Sequence, residues 1–495
     1  MRVKSCLLLI SLMASFGIVW AGNAAPIGTP WVKVNSNSDI PYSPANDAWG
    51  SETYPYEISN AAELKKLADI VNGSTPYAVH TFAGFYFKLT NSIDLGNYLS
   101  WIPIGRYKND ASLSFSGTFD GDGYLINNIN INTYNLDNRY GYSGLFGLIT
   151  WGVIKNLGIQ GTINVTSTVS NMRVGLLAGC NEAALIENCY AKGNINYTSS
   201  RNEQFIGLLV GYNTNRGSSP AIIRNCYAMG DIAYSGSGTS SVGGLVGDNA
   251  SSIIENCYTI GNVNAPASSR KGSFVGRSRN SGSNINNCYA HGNGCGSWDN
   301  NGTLDIRNIN NIYNNRLSGL PGSAWIPETD TYPSLVSMNR NTYTIIFSAG
   351  SGGDFVSGIA SISAVPFRKP VSGLPDAQRA GYGFYGWRFG STPVQQGDSW
   401  ATIFGNLIPQ NGSTIILTAQ WGPSTGNETL NSNVKIGTTV GTIIIETSTV
   451  TTVQVVSLSG NIIFNKKVNG ATTVNVPTGI YVVVADGKPT KIAVK

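Results

Sequence analysis

At 495 residues the chain is long enough for several domains, yet only 12% of it is charged, while Gly and Tyr number 59 and 24. That balance suits a β-rich surface that is polar without being ionic. A formal charge of +5 with no dense Lys/Arg run argues against nucleic acid as a partner.

Residues 1–21 read as a signal peptide: Arg2 and Lys4 lead an apolar core from Leu7 to Trp20, and Val19-Trp20-Ala21 precedes the expected cut. Cleavage would lower the charge from +5 to +3. The apolar run is short for a membrane span and no later stretch is long enough for one. Cys6 lies before the apolar core, whereas a lipoprotein cysteine would follow it, so the expectation is an exported, soluble protein.

A polar lead covers residues 22–55. Ile58 to Asn72 then predicts a helix, with Leu64, Leu67, Ala68 and Val71 on one face, Asn60 and Glu63 as an N-terminal box, and Gly73 as a stop. Its apolar stripe should cover an open sheet edge. Strand-like alternation follows through Phe85–Leu95, and Phe119-Asp120-Gly121-Asp122-Gly123 reads as a turn.

From Ser143 to about Cys295 one pattern recurs. Gly144-Leu145-Phe146-Gly147 returns at Gly175, Gly207, Gly244 and, degenerate, Gly272. Each copy is followed by an Ile-x-Asn phrase, four of them extended to Asn-Cys-Tyr: Asn188-Cys189-Tyr190, Asn225-Cys226-Tyr227, Asn256-Cys257-Tyr258 and Asn287-Cys288-Tyr289. A period near thirty residues means stacked coils of a solenoid, here of strands and turns. We expect one strand at each Gly-Leu phrase and one at each Ile-x-Asn phrase.

Equivalent side chains in such coils stack roughly 4.8 Å apart. The asparagines then form an amide ladder. The four cysteines read as a buried row of reduced thiols, because parallel Cβ vectors disfavour a disulfide, although disulfide and metal readings stay open. Tyr190, Tyr227, Tyr258 and Tyr289 alternate with the cysteines and should point outward as an aromatic stripe, able either to bind a ligand or to stack for stability. Cys180 and Cys295 fall outside the row.

The order of Tyr56-Glu57-Ile58-Ser59, the helix, Gly117-Thr118-Phe119-Asp120-Gly121 and the Gly-Leu repeats resembles the GLUG-motif β-solenoid proteins of Bacteroidetes type over residues 56–340. That resemblance implies a secreted or surface protein. Residues 341–422, with Tyr343-Thr344-Ile345-Ile346-Phe347, Gly381-Tyr382-Gly383-Phe384-Tyr385-Gly386-Trp387 and a last strand ending at Trp421, resemble the Listeria–Bacteroides repeat, a β-grasp-like module. Trp387 and Trp421 read as its core. A linker spans 423–433. Residues 434–495, with Pro477-Thr478-Gly479-Ile480-Tyr481 and a short basic end, resemble a C-terminal β-sandwich sorting domain of type IX secretion, implying contact with export machinery. A plain terminal β-sandwich accounts for the same residues.

The expected fold is therefore all-β: a parallel β-solenoid with a capping helix, a β-grasp-like module and a β-sandwich. No catalytic, metal or cofactor constellation is visible. Only His80 and His291 exist, neither within a hydrolase motif. Asp120 and Asp122 are the one close carboxylate pair in a β-helix setting, and their glycines read as a turn. We expect a non-enzymatic, extracellular or outer-surface adhesin-like protein that binds a glycan or a host or matrix protein. The alternative is a β-helix polysaccharide lyase or glycosidase.

Overall fold

The computed structural model describes residues 50–494 apart from 75–78, 109–110, 133–140, 237, 281, 292–293, 300–303, 309–318, 327–331, 357, 406, 424–433, 458–459 and 486–487. The signal-peptide reading, nearly all of the 22–55 lead and most of the 423–433 linker lie outside the described residues. The chain divides into two compact units, Met1–Asn339 and Arg340–Lys495.

The first unit is a parallel β-solenoid of about 7 turns. Successive coils pair without slipping along the Ile-x-Asn strands. Phe119, Ile154, Ile186, Ile223, Ile254 and Ile285 lie directly over one another, and none exposes any surface. Each coil alone has too little apolar area to fold, so this shared inward row is what fixes register and holds the stack.

A coil carries more strands than the two expected. In the second full repeat Arg173–Val174 precedes the Gly-Leu phrase, Ala178–Glu182 begins at its end, Leu185–Glu187 follows, and Tyr190–Ser199 forms a long last side. The Gly-Leu phrase itself is mostly a tight bend. The corner after each Ile-x strand is an asparagine in left-handed conformation, with φ between +51° and +54° at Asn156, Asn188, Asn225, Asn256 and Asn287. Asparagine enters that region more readily than other residues with a Cβ, and here its amide bonds to the neighbouring coil.

The long side is itself bent. Gly193, Gly230 and Gly261 have φ of +143°, +141° and +132°, and a Cβ on Gly193 would lie 1.8 Å from the Gly161 carbonyl oxygen. Only glycine fits there. The bend divides the outer surface of this side into a tyrosine-bearing part and an Asn/Thr-bearing part.

The helix is present over Ala61–Val71. Asn60 accepts from the Ala62 and Glu63 amides, and Glu63 accepts from the Ser59 amide at 2.7 Å. Leu64, Leu67, Ala68, Ile70 and Val71 bury into the same core as the first coils, which covers the end of the stack.

In the second unit, Thr342–Ser348 runs parallel to Thr414–Pro423, and Tyr382–Phe389 runs antiparallel to it. Trp387 is buried, donates to the Pro375 carbonyl at 2.8 Å and packs on Phe347. Trp421 is half-buried and donates to Ala349. A short helix, Trp400–Phe404, precedes the last strand of this module. Five strands from Val434–Thr439 to Lys488–Val494 form one hydrogen-bonded antiparallel sheet. Its long strand Thr442–Ser457 shifts register between Thr447 and Thr451.

Candidate functional site

The tyrosine row points away from the solenoid core, as its alternation with cysteine requires. The rings of Tyr190, Tyr227 and Tyr258 stack 4.9 Å apart and nearly parallel. The row is not open, however, which corrects the expected exposed stripe. Tyr227, Tyr258 and Tyr289 are buried beneath Trp325 and Leu335. Trp325 lies 5.3 Å from the Tyr258 ring, the Tyr258 hydroxyl donates to the Pro333 carbonyl at 2.7 Å, and Arg307 donates to the Tyr289 hydroxyl at 2.8 Å. Tyr190 alone stays half-buried, with the Lys192 ammonium 5.2 Å from its ring. The physical reason is plain: a continuous aromatic row is costly in water, and the chain covers it with apolar residues of its own. Burial pushes the Tyr227 phenol far above its ordinary range.

Beyond the glycine bend lies an open groove with a volume of about 440 Å³. Its floor is two outward columns on adjacent strands. Asn164, Asn196, Ala233 and Asn264 form one, and Thr166, Thr198 and Ser235 the other. All seven are exposed. The Asn196 amide donates to Asn164 at 2.8 Å. The alternate residues point inward: Tyr197 and Tyr234 stack with centroids 6.0 Å apart, and their hydroxyls meet Gln204 and Ser240 at 2.8 and 3.0 Å. Those buried anchors keep the strands flat and the groove in place.

Amides and hydroxyls both donate and accept, which matches the hydroxyl pattern of a sugar chain. The lining holds no carboxylate, imidazole or thiol, and the hydroxyls of its two tyrosines, Tyr197 and Tyr234, are taken up by Gln204 and Ser240. The sequence carries part of this signal, as Asn-x-Thr in two successive coils. It was missed because the third coil reads Ala-x-Ser at Ala233 and Ser235.

The other candidates resolve into structure. Asp120 accepts from the Asp122 amide at 2.8 Å and from Asn156 at 3.0 Å, and Lys155 and Lys88 flank the pair. The pair is a turn device. Cys189, Cys226, Cys257 and Cys288 are buried and unbridged, each thiol donating to a backbone carbonyl two residues earlier at 3.1–3.2 Å. Burial pushes the Cys189 and Cys257 thiols well up. Among the described residues no three His, Cys, Asp or Glu side chains gather as a metal site. Nor is any helix among them long and apolar enough to cross a membrane, a statement that leaves β-barrels aside.

One coil carries Asn188, Cys189 and Tyr190, with the bend at Gly193. Residues 170–196 match the GLUG motif. The GLUG segment thus holds one amide corner, one core thiol and the first residues leading into the groove. Halomucin of Haloquadratum walsbyi is 33% identical over 145 residues, which is 28% of this chain and 1% of Halomucin. The chain therefore spans about one hundredth of that relative's length. A crystal structure from Bacteroides ovatus, provisionally named an immunoglobulin A1 protease, aligns over 58% of this chain and 94% of its own. It does so at 18% identity and a TM-score of 0.39, a likeness too low to decide anything about activity.

Proposed function

We propose that this chain is a non-enzymatic binding protein of the cell exterior, whose solenoid holds a neutral glycan chain in the groove of Asn164, Asn196, Asn264, Thr166, Thr198 and Ser235. The observation that carries this reading is a groove of repeated amides and hydroxyls without a carboxylate, imidazole or thiol. Coil-to-coil repetition offers several weak contacts to one extended ligand. The apolar, positively led N-terminus supports export. The resemblances noted in the sequence support a Listeria–Bacteroides repeat of β-grasp type at 341–422 and a sorting-like β-sandwich at 434–495 that engages export machinery.

The test is a glycan and matrix-protein array probed with the full chain, beside a variant in which Asn164, Asn196 and Asn264 are all alanine. A net hydrogen bond contributes about 0.5–1.5 kcal/mol, so losing three should weaken retention about tenfold or more. Equal retention by both proteins would remove the groove from consideration. New reducing ends or unsaturated products on incubation with polysaccharides would replace the binding reading with the lyase or glycosidase one.

A further inference from the structure

The Ile-x-Asn strands have an outer face as well as an inner one. The residues on either side of the buried middle position point outward, and coil pairing lines them up in two straight columns. Val153, Leu185, Ile222 and Ile253 form an aliphatic column, preceded by Tyr86 and Thr118. Lys88, Asp120, Lys155, Glu187, Arg224 and Glu255 form a charged one. Both columns are half-buried throughout.

The sign of the charge alternates without a break. That alternation first serves the rod: Lys155 lies 3.8 Å from Asp120 and Arg224 lies 2.8 Å from Glu187, each pair joining adjacent coils. Lys155 and Arg224 still keep 26% and 41% of their side chains exposed. The aliphatic column has no such role within the rod. Four branched side chains, one per coil step of roughly 4.8 Å, make a continuous apolar strip on a polar surface.

Trp151 extends the strip. It stands at the corner two residues before Val153, 53% exposed and with φ of +60°. A bulky residue is an outlier in that left-handed region. In the next coil the same corner is the small Ala183, since Thr150 pairs with Glu182 and Val153 with Leu185. A large ring therefore projects beside a shallow place.

A second copy of the chain suits this face in one arrangement. Two flat faces related by a two-fold axis in their common plane meet with the rods either parallel or antiparallel. Parallel rods lay the charged column of one on the aliphatic column of the other, burying charge against hydrocarbon. Antiparallel rods, with the axis along the strands, set each column on its own kind. With the axis between the coils of Val153 and Leu185, Lys155 meets Glu187 of the second copy, Asp120 meets Arg224 and Lys88 meets Glu255, each twice. Trp151 then lies over Ala183 of the second copy. A slip of one coil would set like charges face to face, so the register is fixed as well.

We propose that this face joins two copies of the chain as antiparallel rods, through the strip of Trp151, Val153, Leu185, Ile222 and Ile253 and its charged row. The contact is independent of the glycan reading of the groove. The strip is short, so the dimer is a weak one, with a Kd of about 10 μM. The test is sedimentation equilibrium of the full chain from about 1 to about 100 μM, a range that spans such a Kd. Lys155→Glu and Glu187→Lys each set two like pairs across the axis, and each alone should weaken the dimer about tenfold. An equimolar mixture of the two variants regains opposite charges at both contacts and should dimerise again, a rescue that a folding defect cannot give. Trp151→Ala should weaken association with an unchanged melting temperature. A monomer throughout the range, wild-type association by either charge variant alone, or no recovery in the mixture would each overturn the proposal. So would a mass that keeps growing with concentration, since an open chain of copies needs a second, different surface.

Discussion

Asn188 shows how much one side chain does in this fold. Its φ of +53° turns the corner between two strands, its amide donates to Asn156 at 3.3 Å, and it accepts from Asn225 at 3.2 Å. The left-handed conformation costs a residue with a Cβ about 1–2 kcal/mol, and each amide bond adds about 0.5–1.5 kcal/mol. Asn188→Ala should therefore destabilise the solenoid by about 2–4 kcal/mol, and Asn188→Gly by clearly less, in urea unfolding followed by circular dichroism. Equal losses in the two variants would mean that the corner is not what asparagine supplies. The amide row was legible from recurrence alone. The positive φ was not, because nothing in Ile-x-Asn distinguishes a corner from a strand position until neighbouring coils are stacked. A second and fully buried amide row, Asn181 to Asn213 to Asn249 at 2.8 and 2.7 Å, was invisible too. Its members sit behind the Gly-Leu phrase amid changing neighbours.

Among the elements, the segment that covers the tyrosines matters most. Trp325 and Leu335 belong to two short antiparallel strands, Trp325–Ile326 and Ser334–Leu335, that lie across coils far earlier in the chain. Sequence parity placed the tyrosine rings correctly on the outer side, but parity carries no information about a distant cover. Removing a buried tryptophan typically costs about 3–5 kcal/mol. Trp325→Ala should release this cover, seen as new protease cuts within residues 319–338 and a gain in tyrosine exposure, while the coils beneath keep their far-ultraviolet signal. Unchanged cleavage would show that Trp325 is not what fastens the cover. The helix Ala61–Val71 was legible because its cap, stripe and stop all agreed, whereas Trp400–Phe404 is too short for any periodicity to register.

Across the whole molecule, stability should respond to alkali. Burial pushes the phenols of Tyr56 and Tyr142 up to about 12, and those of Tyr197 and Tyr227 further. In the unfolded chain these groups ionise near their ordinary value of about 10. Above that pH the unfolded state releases protons that the folded state keeps, so linkage favours unfolding. The melting temperature should stay level up to about pH 10 and fall from there through pH 12, with tyrosinate absorbance lagging behind that of free tyrosine and then rising with unfolding. Full ionisation near pH 10 in a still-folded protein would contradict the burial. At this scale the sequence was most informative, since recurrence of a thirty-residue phrase admits few structures besides a stack. Its coils are uneven, however: Val210 pairs with Val246 thirty-six positions on and Val246 with Val275 twenty-nine on. Those differences hid which outward residues fall into line, and so concealed the groove.

The sealed sulfur row has a consequence for the lifetime of the rod. Cys189, Cys226, Cys257 and Cys288 stand one per layer with no exposed surface, out of reach of oxidants while the layers are closed. In an oxidising medium the same four thiols, once unrolled, become free to cross-link between layers that the fold keeps apart. In such a medium winding must therefore outrun oxidation, and a rod that opens later in air has no route home: its chemistry makes assembly a one-way event.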